Sequence, residues 1–181
     1  MKEVFEMKIA VLGAHGKAGS LIEEEAIKCG HQVTAFVRKK HDDRFPDTVE
    51  KDIMDIEKED LSGFDAVINA VRAWTLYVKP DHSMMVKDQP DYPDELKPLA
   101  AVLAANLERI RSFSDVRWTY VTPPFNLEFD DPATGEYIIG GEDYFTNDKG
   151  ESHISYKDFA SAMLDCAEGD YARRRVSVVG K

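Results

Sequence analysis

"IAVLGAHGKAGS", residues 9–20, is an apolar run that breaks into glycines at 13, 16 and 19. The unbroken apolar character of "KIAVLG" (8–13) fits a strand buried on both faces. A helix is expected from about residue 17 to 29, closed by Cys29-Gly30. In such a strand–turn–helix, Gly13 permits the tight turn. Gly16 lets backbone approach a pyrophosphate with no Cβ in the way, and Gly19 lets the helix pack closely on the strand. The helix start adds free N–H groups and the positive end of a dipole. The spacing is G-x-x-G-x-x-G rather than G-x-G-x-x-G, and by itself it also fits an ordinary strand–helix turn.

The next strand, "HQVTAFVR" (31–38), runs into Arg38, Lys39 and Lys40, with no acid until Asp42. An acid at this point would hold the adenosine ribose hydroxyls of NAD, whereas a base accommodates the extra phosphate of NADP. NADP(H) is therefore preferred over NAD(H). Arg38 is the main contact, because its planar fork matches phosphate geometry, and Lys39 stands beside it. The alternative is a solvated strand end. A basic triplet is out of character in a chain with 23 Lys and Arg against 34 Asp and Glu.

Further strands are expected at 48–53, 64–71, 116–124 and 174–180, with short β segments in "EYIIGG" and "ESHIS". Helices are expected at about 93–113 and at 155–168, the latter N-capped by Ser155 with Asp158 at its third position. Strands and helices in alternation signal an α/β, Rossmann-like, doubly wound and mainly parallel sheet, with helices on both faces. With 181 residues and no linker or repeat, a single domain over 1–181 is expected, residues 1–6 being a short leader. The net charge of −11 argues against nucleic acid or an anionic membrane as partner. Two cysteines and no long apolar run point to a reduced, cytoplasmic protein.

The stretches "MKIAVLGAHGKAGSLI", "GHQVTAFVRK", "KDIMD", "DLSGFDAVINA", "DYPDELKPLA", "VRWTYVTPP", "TGEYIIGGE" and "GESHISYKDFASAM" resemble, in this order, the atypical short-chain dehydrogenase/reductases. Within these the chain is most similar to the bacterial NADH-flavin reductase family, related to the NmrA-like and biliverdin reductase B-like proteins. The resemblance implies that Gly13, Ala14, His15, Gly16, Lys17, Ala18 and Gly19 surround the pyrophosphate, His15 replacing a usual threonine. It implies that Asp52 and Ile53 flank the adenine and that Asn69, Ala70 and Val71 pass along the nicotinamide ribose. Pro123, Pro124 and Phe125 correspond to the wall of the substrate or flavin pocket. Trp74, Tyr77, Tyr92 and Phe125 either roof a flat aromatic substrate or belong to the core.

Two departures bear on function. None of the seven tyrosines is followed four residues on by lysine, so the proton-donating Tyr-x-x-x-Lys pair of ordinary short-chain dehydrogenases is missing. No catalytic side chain is nominated. The expected acceptor is a flavin (FMN or FAD) or another flat conjugated molecule, because stacked rings suffice for hydride transfer. The resemblance also implies a helix and a strand between "VINAVRAWT" and "LYVKPDH", where Thr75 here runs straight into Leu76. Three substitutes for that strand are open: the strand at 116–122 closing on the strand at 64–71, a partner chain such as a homodimer, or residues 72–92. Asp81, His82, Asp88, Asp91, Asp94 and Glu95 read as a solvated acidic loop rather than a metal site. Two functions stay open: an NADPH-dependent reductase of a small-molecule electron acceptor, and a non-catalytic NADP(H) sensor of NmrA-like type.

Overall fold

Alternating side-chain direction gives β1 (Lys8–Leu12) two apolar faces. Ala10 and Leu12 pack with Phe36, and Val49, Ile56, Leu61 and Phe64 close over them. Ile9 and Val11, fully buried, point the other way. α1 (Lys17–Lys28) lies against β1 and β2 (Gln32–Val37), burying Gly19, Ile22 and Ala26. With β3 (Thr48–Glu50) and β4 (Ala66–Asn69) these strands form a sheet of order β3-β2-β1-β4, parallel throughout. The computed structural model describes residues 6–40, 45, 47–52, 55–69, 76–78, 81–114 and 117–181. The chain divides into two compact units, Met1–Val71 and Arg72–Lys181, and the four-stranded sheet belongs to the first.

The second unit contains α2 (Lys97–Arg111), β5 (Thr119–Thr122), β6 (Asn126–Glu128), β7 (Tyr137–Ile139), β8 (His153–Ser155), α3 (Tyr156–Glu168) and β9 (Arg174–Gly180). β9 pairs in parallel with β5 and antiparallel with β7, while β6 and β8 form a parallel pair. The fold is α/β, mainly parallel and Rossmann-like. β5 pairs with β9, and β4 is the edge of its own sheet among the described residues. β6 was not anticipated, being only three residues long. Leu76 accepts from the Val86 N–H at 2.9 Å, and the Val78 N–H donates to Met84 at 3.0 Å. That hairpin is sewn to 142–144 by the Tyr77 N–H donating to Glu142 and the Tyr144 N–H donating to Tyr77.

Ser155 caps α3 as expected, accepting from the Asp158 N–H at 3.0 Å. Asp158 does more than sit in the first turn. Its buried carboxylate accepts from the N–H groups of Thr134 and Gly135, both at 2.9 Å, and from the hydroxyls of Thr134 and Ser155, both at 3.0 Å. Burial alone would raise its pKa, but these donors outweigh burial and hold the carboxyl below its ordinary value. Its contribution to stability is therefore present above the unfolded-chain pKa of about 4 and is lost as pH falls through the lower folded value. Asp158→Asn sets an amide against those donors and should cost about 2–3 kcal/mol at neutral pH, read by urea denaturation. The loss should shrink in acid.

Candidate functional site

Gly13 has φ +75°, a left-handed conformation that suits glycine. Its N–H and that of Ala14 donate to the Phe36 carbonyl on β2 at 3.1 and 3.4 Å, fixing the turn on the neighbouring strand. The Gly16 N–H returns to the Gly13 carbonyl at 2.9 Å, and Gly16 occupies the N-cap position of α1. A Cβ on Gly16 would stand 3.1 Å from the Gly13 oxygen. On Gly19 it would stand 2.4 Å from that oxygen and 2.8 Å from Ala14 Cα, contacts no side chain can make. The first turn of α1 holds no acid and no side chain caps it. Gly16 and Gly19 bring the start of this helix close to the turn with no Cβ between them, and a helix start with no acid suits a bound anion.

Around this turn the carboxyl ends of the parallel strands gather the other first-unit residues. β2 delivers the exposed Arg38 and Lys39, neither of which has an ion-pair partner among the described residues. Their turn is braced by β3: the Lys40 N–H donates to a Glu50 carboxylate oxygen at 3.0 Å, and the Lys51 N–H donates to Val37 at 2.8 Å. The half-buried Asp52 follows. Lys51 is paired with Asp60 at 2.5 Å; the Lys51 ammonium and then the Glu57 N–H hold the Asp60 carboxyl below its ordinary value. Asn69 ends β4 exposed, in register with Leu12 at the end of β1. Lys17 is exposed and His15 half-buried on the glycine turn, with Ala14 fully buried beneath it and Ala18 partly so. Ile53, Ala70, Val71 and Trp74 lie outside the described residues.

The pocket residues expected in the second unit occupy different settings. Tyr92 is buried with Leu76, Val86 and Ala100, and burial pushes its phenol above the ordinary value. Pro123 and Pro124 are buried behind β5. Phe125 is exposed, edge-on to Tyr144 at 6.1 Å. Tyr77 stacks on His82 at 4.2 Å, and His82 Nε2 lies 3.2 Å from Asp143. Arg175 was not nominated. It is buried on β9, donating to Thr122 Oγ1 at 3.3 Å, and burial pulls its pKa down to about 10. A solvent-open depression of about 430 Å³ is lined by Lys87, Asp88, Gln89, Pro90, Lys97 and Ala101. Both of its lysines are paired with aspartates, so the glycine turn is the better anion site. Burial and then the Asp165 charge push the Cys166 thiol up to about 12, which disqualifies it as a nucleophile. Among the described residues no three His, Cys, Asp or Glu form a metal-holding group, and no helix is long and apolar enough to cross a membrane.

No protein-family model matches the chain. An uncharacterized protein, YwnB, of Bacillus subtilis is 33% identical over 214 residues, covering 97% of this chain and 99% of YwnB. That alignment exceeds the 181 residues of the chain, so at least 33 of its positions are filled by YwnB alone. A "putative NADH-flavin reductase" of Streptococcus pneumoniae is 35% identical with a TM-score of 0.90, over 97% of this chain and 100% of that one. A "putative epimerase" of Bacteroides thetaiotaomicron shares the fold at 23% identity and a TM-score of 0.78, over 97% and 98% of the two chains.

The contacts at the turn order the cost of filling it. Gly19→Ala must push α1 off the turn and should destabilise by about 1–3 kcal/mol. Gly13→Ala meets open space and bears only the strain of its φ, about 1 kcal/mol. Urea denaturation of the two variants tests the ranking.

Proposed function

We infer the function from a premise of kinship: the chain belongs to the same family as YwnB of Bacillus subtilis. On that premise we propose an NAD(P)H-dependent reductase that passes hydride to a flavin or another flat conjugated acceptor, with NADP(H) as the preferred nucleotide. The reading rests on one observation, the close-packed glycine turn at the start of α1, which no side chain caps, beside Arg38 and Lys39, which have no ion-pair partner among the described residues. The streptococcal relative's description as a "putative NADH-flavin reductase" supports the chemistry, though not the choice of nucleotide.

In this reading the N–H groups at the start of α1 take the pyrophosphate. Arg38 and Lys39 take the 2′-phosphate, Asp52 borders the adenine, and Asn69 lies along the nicotinamide ribose. A reduced nicotinamide nucleotide supplies the hydride when bound. The resemblance assigns Pro123, Pro124 and Phe125 to the acceptor; within the second unit Tyr144 stands against the edge of Phe125. Tyr92 contributes packing under the loops. No side chain is assigned as acid; water protonates the acceptor.

A second reading is favoured by the positions that YwnB fills and this chain does not. A chain that has shed part of its family's length can keep the nucleotide and lose turnover, and would then act as an NADP(H) sensor.

Two experiments decide. With NADPH and FMN in excess, the reductase consumes the reduced nicotinamide absorbance steadily. Tight nucleotide binding without consumption, across several flavins and quinones, selects the sensor. In calorimetric titrations Arg38→Ala should weaken NADPH about tenfold or more, the value of a charge-assisted contact, and leave NADH nearly unchanged. Equal losses would refute the 2′-phosphate assignment.

A further inference from the structure

α2 has two unlike faces. Ala100, Leu103 and Leu107 are buried, and Ala100 packs with Leu76, Val86 and Tyr92. On the other side Pro98, Leu99, Val102, Ala105 and Arg109 follow one another at helical spacing, preceded by Glu95 in the 3-10 turn Asp94–Leu96 that leads into α2, and all are exposed. Leu99 leaves 53% and Val102 65% of its surface in water. The centre of this stripe is apolar, and its ends carry opposite charges.

The charges indicate the partner. Lys97 is paired with Asp94 at 2.5 Å and Arg111 with Glu108 at 2.7 Å. Glu95 and Arg109 have no ion-pair partner among the described residues. Val102 lies midway between them in sequence, as it does between Leu99 and Ala105. If a second α2 is laid antiparallel across the stripe, with a two-fold axis at Val102, each Glu95 meets the partner's Arg109. Each Leu99 then meets the partner's Ala105, and Val102 meets itself. A stripe complementary to its own reverse is what an isologous interface requires.

We propose that the exposed face of α2 is a self-association surface whose occupant is a second copy of this chain, bound antiparallel through Leu99 and Val102. One helical stripe is smaller than a standard interface, so the dimer is weak and concentration-dependent. The inference is independent of the nucleotide reading.

Sedimentation velocity on the full chain, from low micromolar to near-millimolar concentration, tests it. A monomer–dimer equilibrium is expected. Val102→Glu sets two carboxylates on the axis and should raise the dissociation constant about tenfold or more. Glu95→Arg and Arg109→Glu should each weaken the dimer several-fold, and the double swap E95R/R109E should restore it. All the substituted positions are solvent-exposed, and circular-dichroism melts verify that the variants stay folded. A monomer throughout, a dimer indifferent to Val102→Glu, or a double swap no better than either single one overturns the proposal. So does a different protein seated on α2 of a monomeric chain.

Discussion

Where the first turn of α1 lies against the Gly13 carbonyl, only a hydrogen fits on Gly19; a carbon would stand 2.4 Å from that oxygen. The approach sets where α1 begins. Gly13 makes it possible by turning through positive φ, while the Phe36 carbonyl ties the turn to β2. Because β2 is fixed there, the residues that follow it, Arg38 and Lys39, emerge on the flank of the turn. One backbone-to-backbone contact thus places the anion-binding end of a helix and the cations beside it.

The second constraint is on length. Parallel strands need long crossovers, so a difference in length between relatives bears on the sheet when it falls in a crossover. YwnB fills at least 33 alignment positions that this chain does not. Here β4 ends the order β3-β2-β1-β4 among the described residues, and its Val67 is 43% exposed. The second unit builds its own sheet around β9, whose buried Val176, Val178 and Val179 hold β5 on one side and β7 on the other. The paired segments 76–78 and 84–86 belong to that unit, with Leu76 and Val86 packed on Tyr92 and Ala100.

Charge is distributed with the same economy. Many charged side chains are neutralised locally, as Lys51 is by Asp60, Lys87 by Asp88 and Arg111 by Glu108 and Glu142. Arg38, Lys39 and Arg109 are some of the cations with no ion-pair partner among the described residues. Arg38 and Lys39 sit beside a helix start that favours anions, and Arg109 sits at one end of an apolar stripe with Glu95 at the other.

Local features were legible in the amino-acid order. The glycine spacing, the apolar run before it, the basic triplet ending β2 and the Ser155 cap of α3 each depend on residues a few positions apart, and propensity acts at that range. Long-range features were not. Tyr92 and Phe125 are both aromatic residues in polar surroundings, and only packing made one core and the other surface. Arg175 looks like part of a charged strand start, yet its pairing with Tyr120, on a strand more than fifty residues away, buries it. Asp158 reads as a helix-capping acid, and only the return of residues 134–135 turns it into a tie between distant segments. By itself the sequence determined the turn, its cations and the class of fold, because these follow from backbone freedom and local periodicity. The tertiary structure decided which strands pair, which aromatic faces water and which helix face is left bare, because those outcomes depend on what the rest of the chain can reach to bury.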